Sequence, residues 1–223
     1  MAAQTSGENP PVKPNVATMT PPARSPAMLN DRSTLLNYLK TRRSGRPRDM
    51  IEPGPDEAQL AEIIEIAART PDHGKLFPWR FVIVPKARRD NFAELLRQAF
   101  EGDAPINDER KLEAVERIAR QAPALVVVMS TPIASHKVPV WEQELSAGAA
   151  CMNMLHGAHA FGFVGGWISG WPAYSEHVRN AFGGSHERIA GLMFIGTPSF
   201  PLEERPRPVA SMISTVWSGP ASG

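Results

Sequence analysis

Arg69-Thr70-Pro71-Asp72-His73-Gly74-Lys75-Leu76-Phe77-Pro78-Trp79-Arg80-Phe81 is the stretch from which the rest of this 223-residue chain is read. It falls between a segment with helical periodicity and a segment with strand character. Basic side chains, a His, an Asp, two prolines and a Trp crowd into one short turn, a mixture that a merely soluble connector does not need. The Pro78-Trp79 pair biases the turn toward extended backbone and so into the following strand. A second basic turn, Arg42-Arg43-Ser44-Gly45-Arg46-Pro47, closes the helix before it. Two convergent cationic loops ahead of strands suggest a site for an anionic, partly aromatic ligand.

Working outward, Leu60, Ile63, Ile64 and Ala67 recur at helical spacing after Asp56, a capping residue. Upstream, Asp31 or Ser33 is placed to cap a helix carrying Leu35, Leu36 and Leu39. Downstream, Trp79 to Pro85 reads as a buried strand. Phe92, Leu95, Leu96 and Ala99 mark a helix, and Leu112 to Ala119 a further one. Pro123 to Ser130 is a dense, Val-rich strand. The longest helical pattern runs from Glu142 to Phe161 and is full of Ala and Gly. Phe163 to Ser169 and Ala190 to Gly196 read as strands, with a short helix between them around Ser175 to Phe182. Ser211 to Trp217 is strand-like. Helices and strands mix without regular βαβ alternation, so the expected class is α+β. Residues 1–30, rich in proline and poor in apolar periodicity, are expected to be a disordered tail, with one domain over residues 31–223.

Composition narrows the function. Lys+Arg 24 against Asp+Glu 23 gives a net charge of +1, which argues against non-specific nucleic-acid binding. The single cysteine, Cys151, rules out an intrachain disulfide framework and reads as a buried, inert thiol. No paired Cys/His spacing points to a metal site. No apolar run reaches the length of a membrane span, and the N-terminus lacks a secretory pattern, so a soluble cytoplasmic protein is expected.

Several groups could carry chemistry. Arg42, Arg43 and Arg46, with the Ser44 hydroxyl, offer forked donors that match phosphate oxygens; a helix C-terminus decorated with cations gives the same pattern. Arg69 and His73 offer charge and hydrogen bonds to a ligand ring, or else Arg69 ends a helix and Asp72 caps the turn. Gly165-Gly166, followed by Trp167-Ile168-Ser169, lets backbone approach a flat ligand or marks a bulge. His156 and His159 lie three apart on the long helix and read as helix-packing histidines. No GxGxxG follows a strand and no P-loop is present, so the Rossmann and P-loop readings fail. Ser146 and Ser169 lack a His/Asp partner at a recognised spacing.

In this order the pieces resemble the FMN-dependent nitroreductase superfamily, and its small YdjA-like branch in particular. The matching elements are Arg42-Arg43-Ser44, Pro71-Asp72-His73 with Pro78-Trp79, His136-Lys137-Val138-Pro139 leading to Trp141-Glu142-Gln143-Glu144 and Ser146-Ala147-Gly148, then Gly162 to Trp167 and Ile195-Gly196-Thr197-Pro198. The resemblance covers about Leu35 to Trp217.

It implies a three-layer αβα fold, with a mostly antiparallel central sheet flanked by helices, in an interwoven homodimer with FMN at the interface. Arg42, Arg43 and Ser44 would hold FMN from one subunit, with Arg207 assisting at the phosphate. Arg69 and His73 would reach it from the other. Trp167, Ile168 and Ser169 would lie along the ring, and Gly157, Ala158, His159, Ala160, Phe161 and Gly162 would border the substrate side.

The implied activity is hydride transfer from NADH or NADPH to the flavin and on to a nitroaromatic, quinone or related acceptor, with ping-pong kinetics. No side chain need be an obligate acid or base. The alternatives are a non-catalytic flavin-binding dimer and a superfamily member doing other flavin chemistry, such as dehalogenation or oxidative dehydrogenation. Lys75, Phe77 and Ile168 depart from the pattern, where the superfamily often has Asn and Gln at the first two and the branch often a basic residue at the third. These changes bear on acceptor class and redox potential.

Overall fold

The computed structural model describes residues 28–103 and 108–219. Expectations for residues 1–27 lie outside the described residues. Asn30 is tied to the body, its side chain accepting from the Arg43 N–H (2.7 Å) and donating to the Arg43 carbonyl (3.0 Å).

The sheet is organised by one long strand. β5 (Arg188–Pro198) pairs with β3 (Ala124–Ser130), which pairs with β2 (Trp79–Ile83). β4 (Val164–Ile168) and the two-residue β1 (Met50–Ile51) also pair with β5. Every pairing is antiparallel. All seven β3 residues are buried, as a strand covered on both faces requires.

Side-chain alternation divides the core. Ala124, Val126 and Val128, with Met193 and Ile195, pack against α2 (Glu57–Ala67) and α5 (Val140–Ala160) through Leu60, Ile63, Cys151, Met154 and Ala158. Leu125, Val127 and Met129, with Leu192 and Phe194, face the other way. They pack against α3 (Arg89–Asp103), α4 (Glu109–Ala119) and, after the one-turn α6 (Trp171–Tyr174), α7 (Glu176–Phe182), through Phe92, Leu96, Val115 and Val178. This is the expected three-layer αβα, α+β arrangement. Cys151 sits in the α5 cluster, where burial pushes its thiol up to about 12, far from a reactive thiolate.

Local chemistry accounts for the elements. Asp56 and Gln59 form a reciprocal capping box at the start of α2. α1 (Leu35–Thr41) is capped by Thr34 rather than by Asp31 or Ser33, because the Thr34 hydroxyl accepts from the Asn37 N–H while Asp31 caps its own turn at Ser33. Its leucines stand in solvent at 74% (Leu35), 59% (Leu36) and 54% (Leu39), and its buried residue is Tyr38.

The strand-like reading of Ser211 to Trp217 is corrected. Ala210–Ile213 is a short helix, α8, and residues 214–219 pair with no strand among the described residues. The alternation there is apolar, but Val216 and Trp217 lie open with no sheet edge beside them.

Candidate active site

The basic turn after α1 lies along the free edge of β4. Gly45 N–H donates to the Gly165 carbonyl at 3.1 Å. A Cβ at Gly166 would stand 2.9 Å from the Gly45 carbonyl oxygen, so only glycine lets the loop approach this closely. The chain after β5 returns to the same place. Arg43 donates through Nε to the Glu203 carbonyl (2.8 Å) and through Nη1 to the Ser44 carbonyl (3.1 Å). Arg207 donates to the Arg42 carbonyl at 3.2 Å. Ser199 fixes the return by donating both its N–H and its hydroxyl to the Asp49 carbonyl.

The outcome is a concentration of positive charge. Burial, then the guanidiniums of Arg207, Arg205 and Arg43, disfavour the charged form of Arg42. Burial, then Arg205, Arg207 and Arg46, do the same at Arg43, with Glu204 in partial opposition. A half-buried set of like charges persists at low free-energy cost when an anion answers it. Among the described residues, Arg42 commits only Nη1, to the Ser44 hydroxyl at 3.2 Å. Arg43 has two of its donor positions tied to carbonyls, so Arg42 is the freer of the pair to meet a ligand.

Beside this cluster, the Trp167 indole donates to the Ala190 carbonyl at 2.9 Å. The ring rests on Gly191, where a Cβ would come within 2.2 Å of its Nε1, and reaches toward Gly148 of α5. Trp167 is partly open to solvent and Ser169 is exposed, whereas Ile168 packs against the core cluster on the α3 side.

The Arg69–Phe81 loop lies along α5. Asn153 donates to the Thr70 hydroxyl (2.9 Å), and the Ser146 hydroxyl to the Pro71 carbonyl (2.7 Å). His73 Nδ1 meets Glu142 at 2.8 Å. Asp72 accepts instead from the Phe77 N–H, so His73 does not bond within its own turn. The Arg69 side chain is exposed at the end of α2. Lys75 (φ 56°) and Phe77 (φ 49°) occupy the left-handed region that non-glycine residues avoid. Glu142 and His156 are fourteen residues apart on α5, about 21 Å along its axis. His73 and the basic turn therefore stand near opposite ends of that helix within one chain.

Sequence reasoning missed the polar knot that joins the basic turn to α5. Tyr38 Oη lies 2.7 Å from His156 Nδ1 and 2.9 Å from His159 Nδ1. His159 Nε2 accepts from Gly165 N–H at 3.2 Å. A backbone N–H can only donate, so His159 Nε2 is the acceptor and its proton resides on Nδ1, directed at Tyr38. The Tyr38 hydroxyl is then free to donate to His156 Nδ1. Burial, then the charges of Arg42 and His156, hold His159 down at about 3, so it is neutral. Burial and then Arg42 lower His156 as well. A lone Tyr in a Leu-rich helix and two His at i, i+3 were the available signals.

Of the residues expected on the substrate side, Gly157 and Ala160 line a cavity with Leu35, Leu39, Ile66 and His156. Ala158 and His159 are turned into the interior. Phe161 packs partly against the α5 cluster, and Gly162 lies beneath the Arg32 guanidinium, which donates to the Ala160 carbonyl at 2.9 Å. Among the described residues no cluster of His, Cys, Asp and Glu is suited to a metal, and no helix is long and apolar enough to cross a membrane.

Comparison with known proteins gives the family. The family model described as "Nitroreductase family" matches residues 39–197. The chain is 37% identical over 164 residues, 73% of its length and 87% of the relative's, to "Putative NAD(P)H nitroreductase YdjA" of Escherichia coli K12. Among solved structures, it resembles a nitroreductase-like family protein from Bacillus cereus (TM-score 0.70, 21% identity, 84% of this chain and 97% of the other). It also resembles a nitroreductase with bound FMN from Bacteroides fragilis (TM-score 0.58, 19% identity, 82% and 98%). With this breadth of match and the three-layer antiparallel fold, the chain belongs to the nitroreductase family, in its YdjA-like branch.

Proposed function

We propose that the protein is an FMN-dependent oxidoreductase that takes reducing equivalents from NADH or NADPH. The observation that carries the reading is the guanidinium cluster in which Arg205 and Arg207 stand close to Arg42 and Arg43, with Arg42 on the Ser44 hydroxyl, Arg207 on the Arg42 carbonyl and partial opposition from Glu204. Its donor set fits a phosphate monoester, and the partly open Trp167 indole on the neighbouring strand offers a face to a flat ring. The YdjA relative's name and the FMN in the Bacteroides structure support the same choice.

FMN, when bound, would supply the redox chemistry between the nicotinamide and a nitroaromatic, quinone or related acceptor. This chain's residues bind and orient. Arg42 and Ser44 hold the phosphate, with Arg207 and Arg43 fixing the loop that presents them. Trp167, with Ser169 beyond it, borders the ring, and Ile168 holds their strand against the core. The fixed positive charge also favours negative charge developing on the ligand during reduction. Gly157 to Gly162 border the substrate side through Gly157 and Ala160.

Arg69 and His73 would reach the same ligand from a second copy. The separation of His73 from the basic turn along α5 supports a site shared across a homodimer. The exposed Leu35, Leu36 and Leu39 supply an apolar face for it, and the soluble chain would act in the cytoplasm.

The test is a titration of flavin-stripped protein with FMN and with riboflavin, which lacks the phosphate. Arg42→Ala is expected to weaken FMN about ten- to a hundred-fold, as loss of a charge-assisted contact implies, and to leave riboflavin binding unchanged. Equal FMN affinity in both proteins would remove the phosphate assignment.

A further inference from the structure

Gly165 sits in β4 with its N–H and carbonyl both directed off the strand, away from β5. Both are answered, the N–H by His159 Nε2 (3.2 Å) and the carbonyl by Gly45 N–H (3.1 Å). His159, held in its Nδ1–H form by that Gly165 N–H, donates to Tyr38, which lies in α1 four residues before Arg42. Tyr38 is in turn satisfied by His156. The basic turn is thus fixed at two points. Tyr38 anchors its upstream end to α5, and Gly45 anchors its middle to the strand edge that His159 orients. These bonds belong to one directional chain, Gly165 N–H to His159, His159 N–H to Tyr38, and Tyr38 O–H to His156. The direction matters because Arg42 stands close enough to depress both imidazoles. A neutral pair leaves Arg42 without a competing cation behind it.

We propose that Tyr38 is a positioning residue for the anion-binding turn, acting through His159 and Gly165 to set where Arg42 and Ser44 stand. Tyr38 does not touch the ligand. The inference rests on the reading of that turn as the site of the FMN phosphate. It assigns a role to a buried network that redox chemistry does not require, and it makes phosphate recognition depend on a hydroxyl inside the helix that leads into the turn.

The test compares wild type with Tyr38→Phe, His159→Leu, His159→Gln and Arg42→Ala, each as the full chain. Two quantities are read: amide hydrogen exchange at Ser44 to Arg46, and affinity for FMN and for riboflavin. Tyr38→Phe keeps the ring and removes only the hydroxyl. It is expected to speed exchange at Gly45 and to weaken FMN by up to about tenfold, the worth of a neutral hydrogen bond, with riboflavin unchanged. His159→Leu is expected to do the same. His159→Gln, whose amide oxygen can take the place of Nε2 and accept from Gly165, is expected to restore protection at Gly45. Wild-type exchange in both Tyr38→Phe and His159→Leu would overturn the inference. So would unchanged FMN affinity in Tyr38→Phe alongside a loss in Arg42→Ala, since the phosphate reading would then stand without it. Unchanged FMN affinity in Arg42→Ala would instead remove the phosphate reading itself.

Discussion

Lowering the pH from 7 to 5 should destabilise this protein through His159. The imidazole is buried, accepts from Gly165 through Nε2 and faces Tyr38, His156 and Arg42, so a second proton has no partner and meets a like charge. Its folded value is about 3 against 6.5 in the unfolded chain. Because the folded value is the lower one, the unfolded state binds the extra proton first as pH falls, and stability is lost between 6.5 and about 3. Linkage gives a loss of about 2 kcal/mol from pH 7 to pH 5, and about 3 kcal/mol by pH 4. His156, lowered in the same direction, adds to it. The assay is urea unfolding at pH 7, 6 and 5 with saturating FMN and fixed protein concentration, for wild type and His159→Gln. Wild type should lose stability more steeply than the variant, with the gap at pH 7 closing by about 2 kcal/mol at pH 5. Parallel pH dependences in the two proteins would refute the reasoning, because His159 would then be protonating in the folded state without penalty.

Three other outcomes are expected. Arg89, buried in α3, donates to the carbonyls of Val84, Ala119, Gln121 and Pro123, so Arg89→Met should cost on the order of 3 kcal/mol, read as a lower urea midpoint at unchanged flavin content. Lys75 holds a left-handed backbone, and Lys75→Asn should gain about 0.5–1 kcal/mol from the several-fold preference of Asn for that region; an unchanged or lower melting temperature would show that Lys75 makes a compensating contact. Sedimentation at micromolar concentration should give a dimer that Leu39→Glu weakens, and a stable flavin-bound monomer would contradict the shared site.

Much of the architecture was legible because it is local. The Asp56–Ala67 spacing, the continuous apolar run of β3 and the small-residue length of α5 each carry their own periodicity. What was not legible depends on distant partners. β1 is two residues long and exists only through Thr197 and Pro198 of β5. The leucines of α1 mark an amphipathic face, but sequence periodicity does not say that this face stays open while Tyr38 turns inward. The basic turn was readable from residue types alone. The network behind it was not, since Tyr38 and His159 are 121 positions apart and neither alone signals more than packing. The C-terminal arginines were half-visible. Arg207 was expected at the phosphate, while the use of the Glu203 carbonyl to hold Arg43 had no sequence signature.

The central claim is that this chain binds FMN and exchanges electrons with a nicotinamide. Its most direct test is the visible absorption spectrum of the purified protein, loaded with FMN under anaerobic conditions, before and after addition of NADH or NADPH. A yellow protein is expected, whose flavin band bleaches with at least one nicotinamide and returns when a quinone or nitroaromatic is added. A protein that takes up no FMN, or one that stays yellow with both nicotinamides, would contradict it.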